Sequence, residues 1–171
     1  MITIYQKTTK LIKNISLLVV ILPMVAWGNP VFEMSNPRAQ KVTLRLALTR
    51  AEHSQGLSGL RPKDFTDKEG MLFVNEGMGT RRFWMPDTYF NLDIIFLGSD
   101  LKIVGIEKNV PSHPTHIEPP VIYRTKSYEA QFVLETKAKS PFSKNLKVGD
   151  QLKWIGPSAL SEIVLKTRQK Q

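Results

Sequence analysis

The stretch "NLDIIFLGSDLKIVGIEKNV", residues 91–110, decides the fold of this 171-residue chain. Two runs rich in β-branched residues flank a Gly-Ser-Asp break at residues 98–100, and this pattern predicts two antiparallel strands joined as a hairpin. Apolar residues occupy both alternating sets of positions in the first run, residues 91–97. We therefore expect that run to be a central strand with both faces covered.

The segment that precedes the hairpin begins with "KVTLRLALT", residues 41–49, which alternates as a half-buried strand does. "TRAE" follows as a capping box, in which the Thr49 hydroxyl and the Glu52 carboxylate satisfy each other's free backbone N–H groups. This motif predicts a short helix over residues 50–55, closed by Gly56. The simplest interpretation of His53 is an exposed helix residue.

Two further strands are predicted between this helix and the hairpin. "GMLFV", residues 70–74, is a short apolar strand, and "TRRFWM", residues 80–85, is the next one. Gly77 and Gly79 between them predict a turn.

Beyond the hairpin, strands are predicted over residues 128–135 and 149–155, with a one-turn helix at "SPFSKNL", residues 140–146. Short strands at close spacing with two short helices are typical of mainly β proteins. We expect a single-domain antiparallel β-sandwich or partly open barrel over residues 41–156. Residues 157–171 form a basic tail, either a weak helix or disordered.

The N-terminal segment, residues 1–28, has the composition of a secretory signal peptide: a lysine-bearing start, the apolar run "ISLLVVIL", and small residues before a cleavage point near Gly28. The alternative, an uncleaved membrane anchor, needs about 20 apolar residues, and this run is shorter and is interrupted by Pro23. We expect a periplasmic or secreted protein with no stable membrane span in its mature form. Residues 29–40 are interpreted as a surface leader.

Six motifs in a fixed order resemble a bacterial and archaeal family, domain of unknown function 192. They are "TRAEHSQGLSGL", "EGMLFV", "RRFWMPDT", "LDIIFL", "IVGIEKNVP" and "LKVGDQL", and together they span about residues 42–153. The resemblance implies a compact β-rich sandwich or barrel, often exported, with no established activity.

The chain departs from that family in two places. Members typically have a basic residue and asparagine after "FWM", where this chain has Pro86 and Asp87. Many members also look as if they carry a cysteine pair in the proline-rich loop, and this chain has no cysteine. Whatever that pair does elsewhere, this protein does otherwise or not at all.

The motif "TRRFWMPDT" is the first candidate site, because strand alternation places Arg82 and Trp84 on one face and Arg81 on the other. Guanidinium groups bind carboxylate or phosphate, and indole rings stack on sugars or cations. Asp87 and Thr88 follow at the strand end, where loops build sites. These five residues are the predicted ligand-binding set. The alternative is that Phe83 and Trp84 fill the core and that an arginine pairs with Asp93.

Asp93 is the second candidate, because a carboxylate in a strand covered on both faces must be paired. Arg81 or Arg82 is the expected partner in a structural ion pair. The alternative is catalysis by Asp93 with Asp87 or Glu107, as in a hydrolase or lyase acting on envelope carbohydrate. That chemistry requires two carboxyl groups about 5–10 Å apart in one cleft.

The proline-rich loop supplies a third candidate in His113, His116 and Glu118, whose side chains could bind zinc. The prolines explain an exposed loop without any metal, and no cofactor is predicted. The formal net charge of +9 would fall to +6 (9 − 3) on removal of residues 1–28, which carry three lysines, and this moderate charge favours anionic envelope surfaces over nucleic acid once the protein is exported. The function predicted is a non-catalytic envelope module that binds a small ligand, a glycan or a protein.

Overall fold

A computed structural model describes residues 31–168, which fold around one seven-stranded mixed sheet. The elements are β1 (Phe32–Ser35), β2 (Lys41–Ala47), α1 (Arg50–Gln55), a 3₁₀ turn (Pro62–Asp64), β3 (Glu69–Arg81), β4 (Leu92–Leu97), β5 (Ile103–Val110), β6 (Tyr128–Lys137), β7 (Lys153–Ile155) and α2 (Leu160–Arg168). The strand order is β5-β4-β6-β3-β2-β1-β7. The mainly β class with two short helices and an unclosed sheet is confirmed. The second helix is α2 in the C-terminal tail, because residues 140–146, predicted as a one-turn helix, form turns instead. The predicted signal peptide, residues 1–28, lies outside the described residues.

The predicted hairpin is confirmed as β4 and β5, which pair antiparallel from Leu92–Val110 to Leu97–Ile103. All six residues of β4 are buried, as expected for a central strand. β6 inserts between β4 and β3 and is antiparallel to both. Apolar side chains thus cover both faces of the middle of the sheet.

The segment from β2 to β3 contains the one parallel pair among the described strands. α1 lies in this crossover and begins with the predicted capping box: Thr49 accepts from the Glu52 backbone N–H, and the Glu52 carboxylate accepts from the Thr49 backbone N–H. The predicted helix bounds and the Gly56 end are confirmed. The expectation of a wholly antiparallel sheet was wrong at this pair, because the crossover carries the chain back to the start of β2.

The turn predicted at Gly77 and Gly79 is instead a bulge inside β3, which runs without interruption to Arg81. The pairing with β6 shifts between Val74 and Gly79, and side-chain amides bridge the irregularity: Asn75 donates to the Gln131 carbonyl, and Gln131 donates to the Asn75 carbonyl. At Gly79 a Cβ would lie 3.2 Å from the Arg81 guanidinium, so the glycine makes room for that side chain.

The segment interpreted as a surface leader, residues 29–40, contains β1, so that interpretation was wrong. β1 lies between β2 and β7, and Met34 is fully buried. Asn36 ends the strand by donating to the Phe142 carbonyl, 2.8 Å away. Pro30 and Pro37 flank this strand, and the six residues between them are too few to show an alternating apolar pattern.

Two apolar layers cover the sheet. One contains Leu72, Ile95 and Leu134 together with Ile163 of α2, so the C-terminal helix packs on the sheet. The other contains Phe73, Ile94 and Val133, which lie under residues 57–65 and 83–90. No helix within residues 31–168 is long and apolar enough to cross a membrane.

Candidate functional site

A cleft of about 390 Å³ opens on the second apolar layer. The sheet contributes Phe73 and Asn75 of β3 and Glu135 of β6. The end of α1 and the turn after it form one side of the cleft, and residues 80–86 with Thr88 contribute the other. The crossover that carries α1 and the bulged end of β3 therefore create this concavity.

Glu135 is the buried acidic group of the cleft, with 4% of its surface exposed. The sheet register places it opposite Met71 on one side and Ile94 on the other, and both belong to the same apolar layer. Within residues 31–168 its carboxyl group has no hydrogen-bond partner and no ion pair. Its oxygens keep a small contact with the cleft, since Thr136 Oγ1 is the one fully buried side-chain oxygen without a partner in that range. A buried carboxyl without a partner is costly to the fold and is characteristic of functional sites.

Burial raises the pKa of Glu135 to about 8, from an ordinary value of 4.5. Removal of the charged form from water is the cause. The side chain is consequently a neutral acid at pH 7, able to donate one hydrogen bond or to ionise when a cation arrives.

The mouth of the cleft carries the predicted arginines. Arg82 is exposed, and its guanidinium has no hydrogen-bond partner or ion pair among the residues that the structure describes. Arg81 turns inward and donates to the carbonyl groups of Gly77 and Ala130, at 3.0 and 3.2 Å. Arg82 is therefore the cation available to a ligand, and Arg81 holds the bulge in place.

Trp84 also lies at the mouth, with 54% of its surface exposed, so the alternative of a core tryptophan was wrong. It is Phe83 that packs against the core, edge-on to Phe73 with ring centroids 4.8 Å apart. Residues beyond Arg81 leave the sheet, and Trp84 forms a single bridge to Arg124. The Arg124 guanidinium lies 5.6 Å from the indole centroid, which adds a second cation beside the ring.

Thr88 and Asp87 are placed differently from one another. Thr88 lines the cleft and is buried, and its hydroxyl donates to the Met85 carbonyl at 2.8 Å. Asp87 points away from the lining residues and accepts from the Tyr89 hydroxyl at 2.8 Å. Of the predicted ligand-binding set, Arg81, Arg82, Trp84 and Thr88 line the cleft and Asp87 does not.

The predicted ion pair of Asp93 with Arg81 or Arg82 was wrong. Asp93 is on the opposite face of the sheet from Glu135, since it pairs with Thr136 in β6. Its Oδ2 accepts from the Ser143 hydroxyl at 2.6 Å and lies 3.6 Å from Lys108 Nζ. The backbone of β5 and of the loop after β6 brings these donors closer than any arginine.

The three carboxylates predicted for catalysis do not share a cleft. Asp93 accepts from the Ser143 hydroxyl, and Asp87 accepts from the Tyr89 hydroxyl. Glu107 accepts from the hydroxyl groups of Tyr123 and Tyr128 at 3.0 and 2.9 Å. Burial, followed by the bond to Glu107, raises the pKa of Tyr128 to about 12. Glu107 thus fixes two tyrosines.

The residues considered for zinc are also separate. Nε2 of His113 contacts the Ile117 carbonyl at 2.9 Å, His116 Nε2 lies 3.9 Å from Asp87 Oδ2, and Glu118 accepts from the Arg124 guanidinium. No cluster of three His, Asp or Glu side chains within residues 31–168 is arranged to hold a metal ion.

Sequence reasoning missed Glu135 and misplaced His53. His53 lines the cleft, contacts the Ala47 carbonyl through Nε2 at 3.0 Å, and packs edge-on to Phe73. Glu135 closes the run "QFVLE", where an acidic residue is easily interpreted as the solvated end of a strand. The available signal was its position directly after three consecutive apolar residues, a run typical of a strand covered on both faces.

Two solved structures resemble this fold. A protein from Sinorhizobium meliloti 1021, described as a candidate transcription regulator, matches with a TM-score of 0.57 and 26% identity, over 73% of this chain and 92% of that one. A protein of unknown function from Novosphingobium aromaticivorans DSM 12444 matches with a TM-score of 0.60 and 24% identity, over 75% and 94%. The latter likeness shows the fold alone.

None of the curated proteins compared with the chain matched it. The family comparison agrees with the order of motifs and with the strands that carry them. DUF192, described as "Uncharacterized ACR", matches residues 32–154, from β1 into β7. The resemblance is therefore confirmed, and the chain belongs to this family.

Proposed function

We propose that the protein is a non-catalytic domain that binds a small ligand in the cleft between α1 and residues 80–88. The observation that carries this proposal is Glu135, a buried carboxyl group that lines the cleft and has no partner among the described residues. A buried polar group of this kind lowers folding stability unless something else satisfies it. A ligand that enters the cleft can do so.

The mouth of the cleft indicates the chemistry of the outer part of the ligand. Arg82 offers a guanidinium that has no partner among the described residues, and Trp84 beside it offers an exposed indole. A phosphate or carboxylate at Arg82, joined to a sugar or other ring on Trp84, matches both groups. A small anionic molecule or a glycan fragment is the corresponding ligand class.

The alternative of a hydrolase or lyase acting on envelope carbohydrate has less support. A glycosidase needs two carboxyl groups about 5–10 Å apart in one cleft. Glu135 is the one carboxyl group among the described residues that line this cleft. Its raised pKa suits general acid catalysis, but the second carboxyl is not supplied by Asp87, Asp93 or Glu107.

Arg82→Ala should weaken binding of phenyl phosphate about ten- to a hundredfold, because a charge-assisted hydrogen bond contributes about 1.5–3 kcal/mol. Calorimetric titration measures this change. Arg50→Ala is the matched control, since Arg50 is exposed on α1 and does not line the cleft. Equal weakening by both variants would mean that overall charge, and not the cleft mouth, attracts the anion. A large fall in Tm for Arg82→Ala would mean that the residue is structural.

We also infer that the protein acts outside the cytoplasm, as the signal-like residues 1–28 predict. N-terminal sequencing of the protein recovered from the envelope fraction should begin near Asn29. Recovery of a chain that starts at Met1 from the cytoplasmic fraction would contradict export and would leave the ligand site unaffected.

A further inference from the structure

An anionic ligand bound at Arg82 would not account for Glu135, which lies at the inner end of the cleft, away from the mouth. Glu135 pairs with Met71 near the start of β3, whereas Arg82 follows the last residue of that strand, so the two side chains come from opposite ends of β3. The two ends of the cleft are therefore distinct subsites. Glu135 needs a ligand group of its own.

The titratable and charged groups around the inner end are all engaged with partners other than Glu135. Its strand neighbours Met71 and Ile94 are apolar. One strand further out, Arg45 pairs with Glu69 at 2.8 Å and Glu107 accepts from two tyrosine hydroxyl groups.

Lys137, two residues along β6, donates to the Pro62 carbonyl at 2.8 Å. On the α1 side, the imidazole of His53 is engaged with the Ala47 carbonyl. Arg81, at the other end of β3, is engaged with two backbone carbonyl groups. Burial is the cause of the raised pKa of Glu135, and no neighbouring charge contributes to it.

The strength of the bond to Glu135 distinguishes the ligand groups that could satisfy it, since a buried ion pair must offset the cost of removing both charges from water. A neutral acceptor would gain an ordinary hydrogen bond from the protonated acid, whereas an ammonium group would gain a charge-assisted bond of roughly twice the strength. Low local polarity strengthens that bond further. The rings of Phe73 and Phe83, which also line the cleft, attract cations to their faces.

We propose that the Glu135 end of the cleft binds the ammonium group of a small organic cation, with the apolar part of that ligand against Phe73 and Phe83. This inference rests on the proposed ligand-binding function and adds the chemical class of the inner group. The ammonium group requires the carboxylate form of Glu135, so the acid loses its proton to solvent as the ligand enters. The ligand itself stays protonated, because alkylamines titrate near pH 10.

The probe is 2-phenylethylammonium, with 2-phenylethanol as its uncharged counterpart, titrated by calorimetry from pH 6 to pH 8. Affinity for the amine should rise roughly tenfold for each pH unit between 6 and 7.5, since the proton must leave Glu135 first. Buffers of different ionisation heat should show about one proton released per amine bound at pH 6. The alcohol should bind at least tenfold more weakly at pH 8.

Two variants locate the effect. Glu135→Gln should abolish both the pH dependence and the preference for the amine, whereas Glu129→Gln, exposed on the same strand, should leave both unchanged. If Glu135→Gln does not fold, the pH dependence and proton release of the unaltered protein still decide the matter.

Equal binding of the amine and the alcohol, independent of pH, would overturn the inference, because Glu135 would then act as a neutral donor. Binding of phenyl phosphate that depends on Arg82, together with no binding of the amine, would overturn the inference and leave the proposed function standing. Failure of both probes to bind in the cleft would count against both.

Discussion

Raising the pH from 5 to 9 should cost the folded domain about 4 kcal/mol through Glu135 alone. The folded pKa of about 8 lies above the unfolded value of 4.5, so the folded state holds its proton more tightly. The stabilising effect is fully present below pH 4.5, declines as the pH rises between the two values, and is lost above about pH 8. One pKa unit corresponds to about 1.4 kcal/mol, which sets the size of the change.

Urea unfolding at pH 5, 7 and 9 measures this dependence. Glu135→Gln should remove most of the slope of the free energy of unfolding against pH. This slope is the relevant quantity, because the buried amide also changes the free energy of unfolding by a similar amount at every pH. Glu129→Gln, an exposed carboxyl on the same strand, is the matched control and should keep the slope of the unaltered protein. A slope that survives Glu135→Gln would mean that the carboxyl is solvated or paired in the folded protein.

Asp93→Ala should destabilise the domain by about 3–5 kcal/mol, because it leaves several buried donors without an acceptor. The carboxylate accepts from the Ser143 hydroxyl and from the backbone N–H groups of Asn109 and Lys139, at 2.6, 2.8 and 3.3 Å. Both backbone donors are in the left-handed region, with φ of 51° and 64°. Asp93 therefore holds two unfavourable backbone conformations as well as an ion pair with Lys108.

Denaturant titration at pH 7 tests this expectation, with Asp93→Asn as an intermediate case that keeps one oxygen acceptor. Asp67→Ala is the control, since Asp67 is exposed and lies 3.9 Å from Lys137, and its loss should cost under about 1 kcal/mol. Equal small losses at both positions would show that the Asp93 contacts contribute little to stability.

Local signals in the sequence predicted the parts of the fold that depend on neighbouring residues. The Gly-Ser-Asp break predicted the β4–β5 hairpin, the Thr49–Glu52 box predicted the start of α1, and Gly56 predicted its end. The bulge in β3 was not predictable, because it depends on Asn75 meeting Gln131, 56 residues away. A turn and a bulge have the same glycine signal until the pairing strand is known.

The candidate site was predicted only in part, because some of its properties depend on contacts between distant segments of the chain. Alternation along residues 80–85 separated Arg82 and Trp84 from Arg81, and Arg82 and Trp84 are both exposed although the strand ends at Arg81. The predicted partner of Asp93 was wrong because Lys108 and Ser143 come from elements whose relative placement depends on the tertiary fold and not on a local sequence pattern. Glu135 was overlooked because its burial depends on Met71 and Ile94 in two neighbouring strands.

The measurement that tests the central claim most directly is a carbon-13 NMR titration of the Glu135 carboxyl group, assigned by comparison with Glu135→Gln. A buried, unpartnered acid in the cleft should titrate with a midpoint near pH 8, and saturating 2-phenylethylammonium should move that midpoint well below 7. A midpoint near 4.5 without ligand would contradict the claim, because the carboxyl would then be solvated or already paired in the protein.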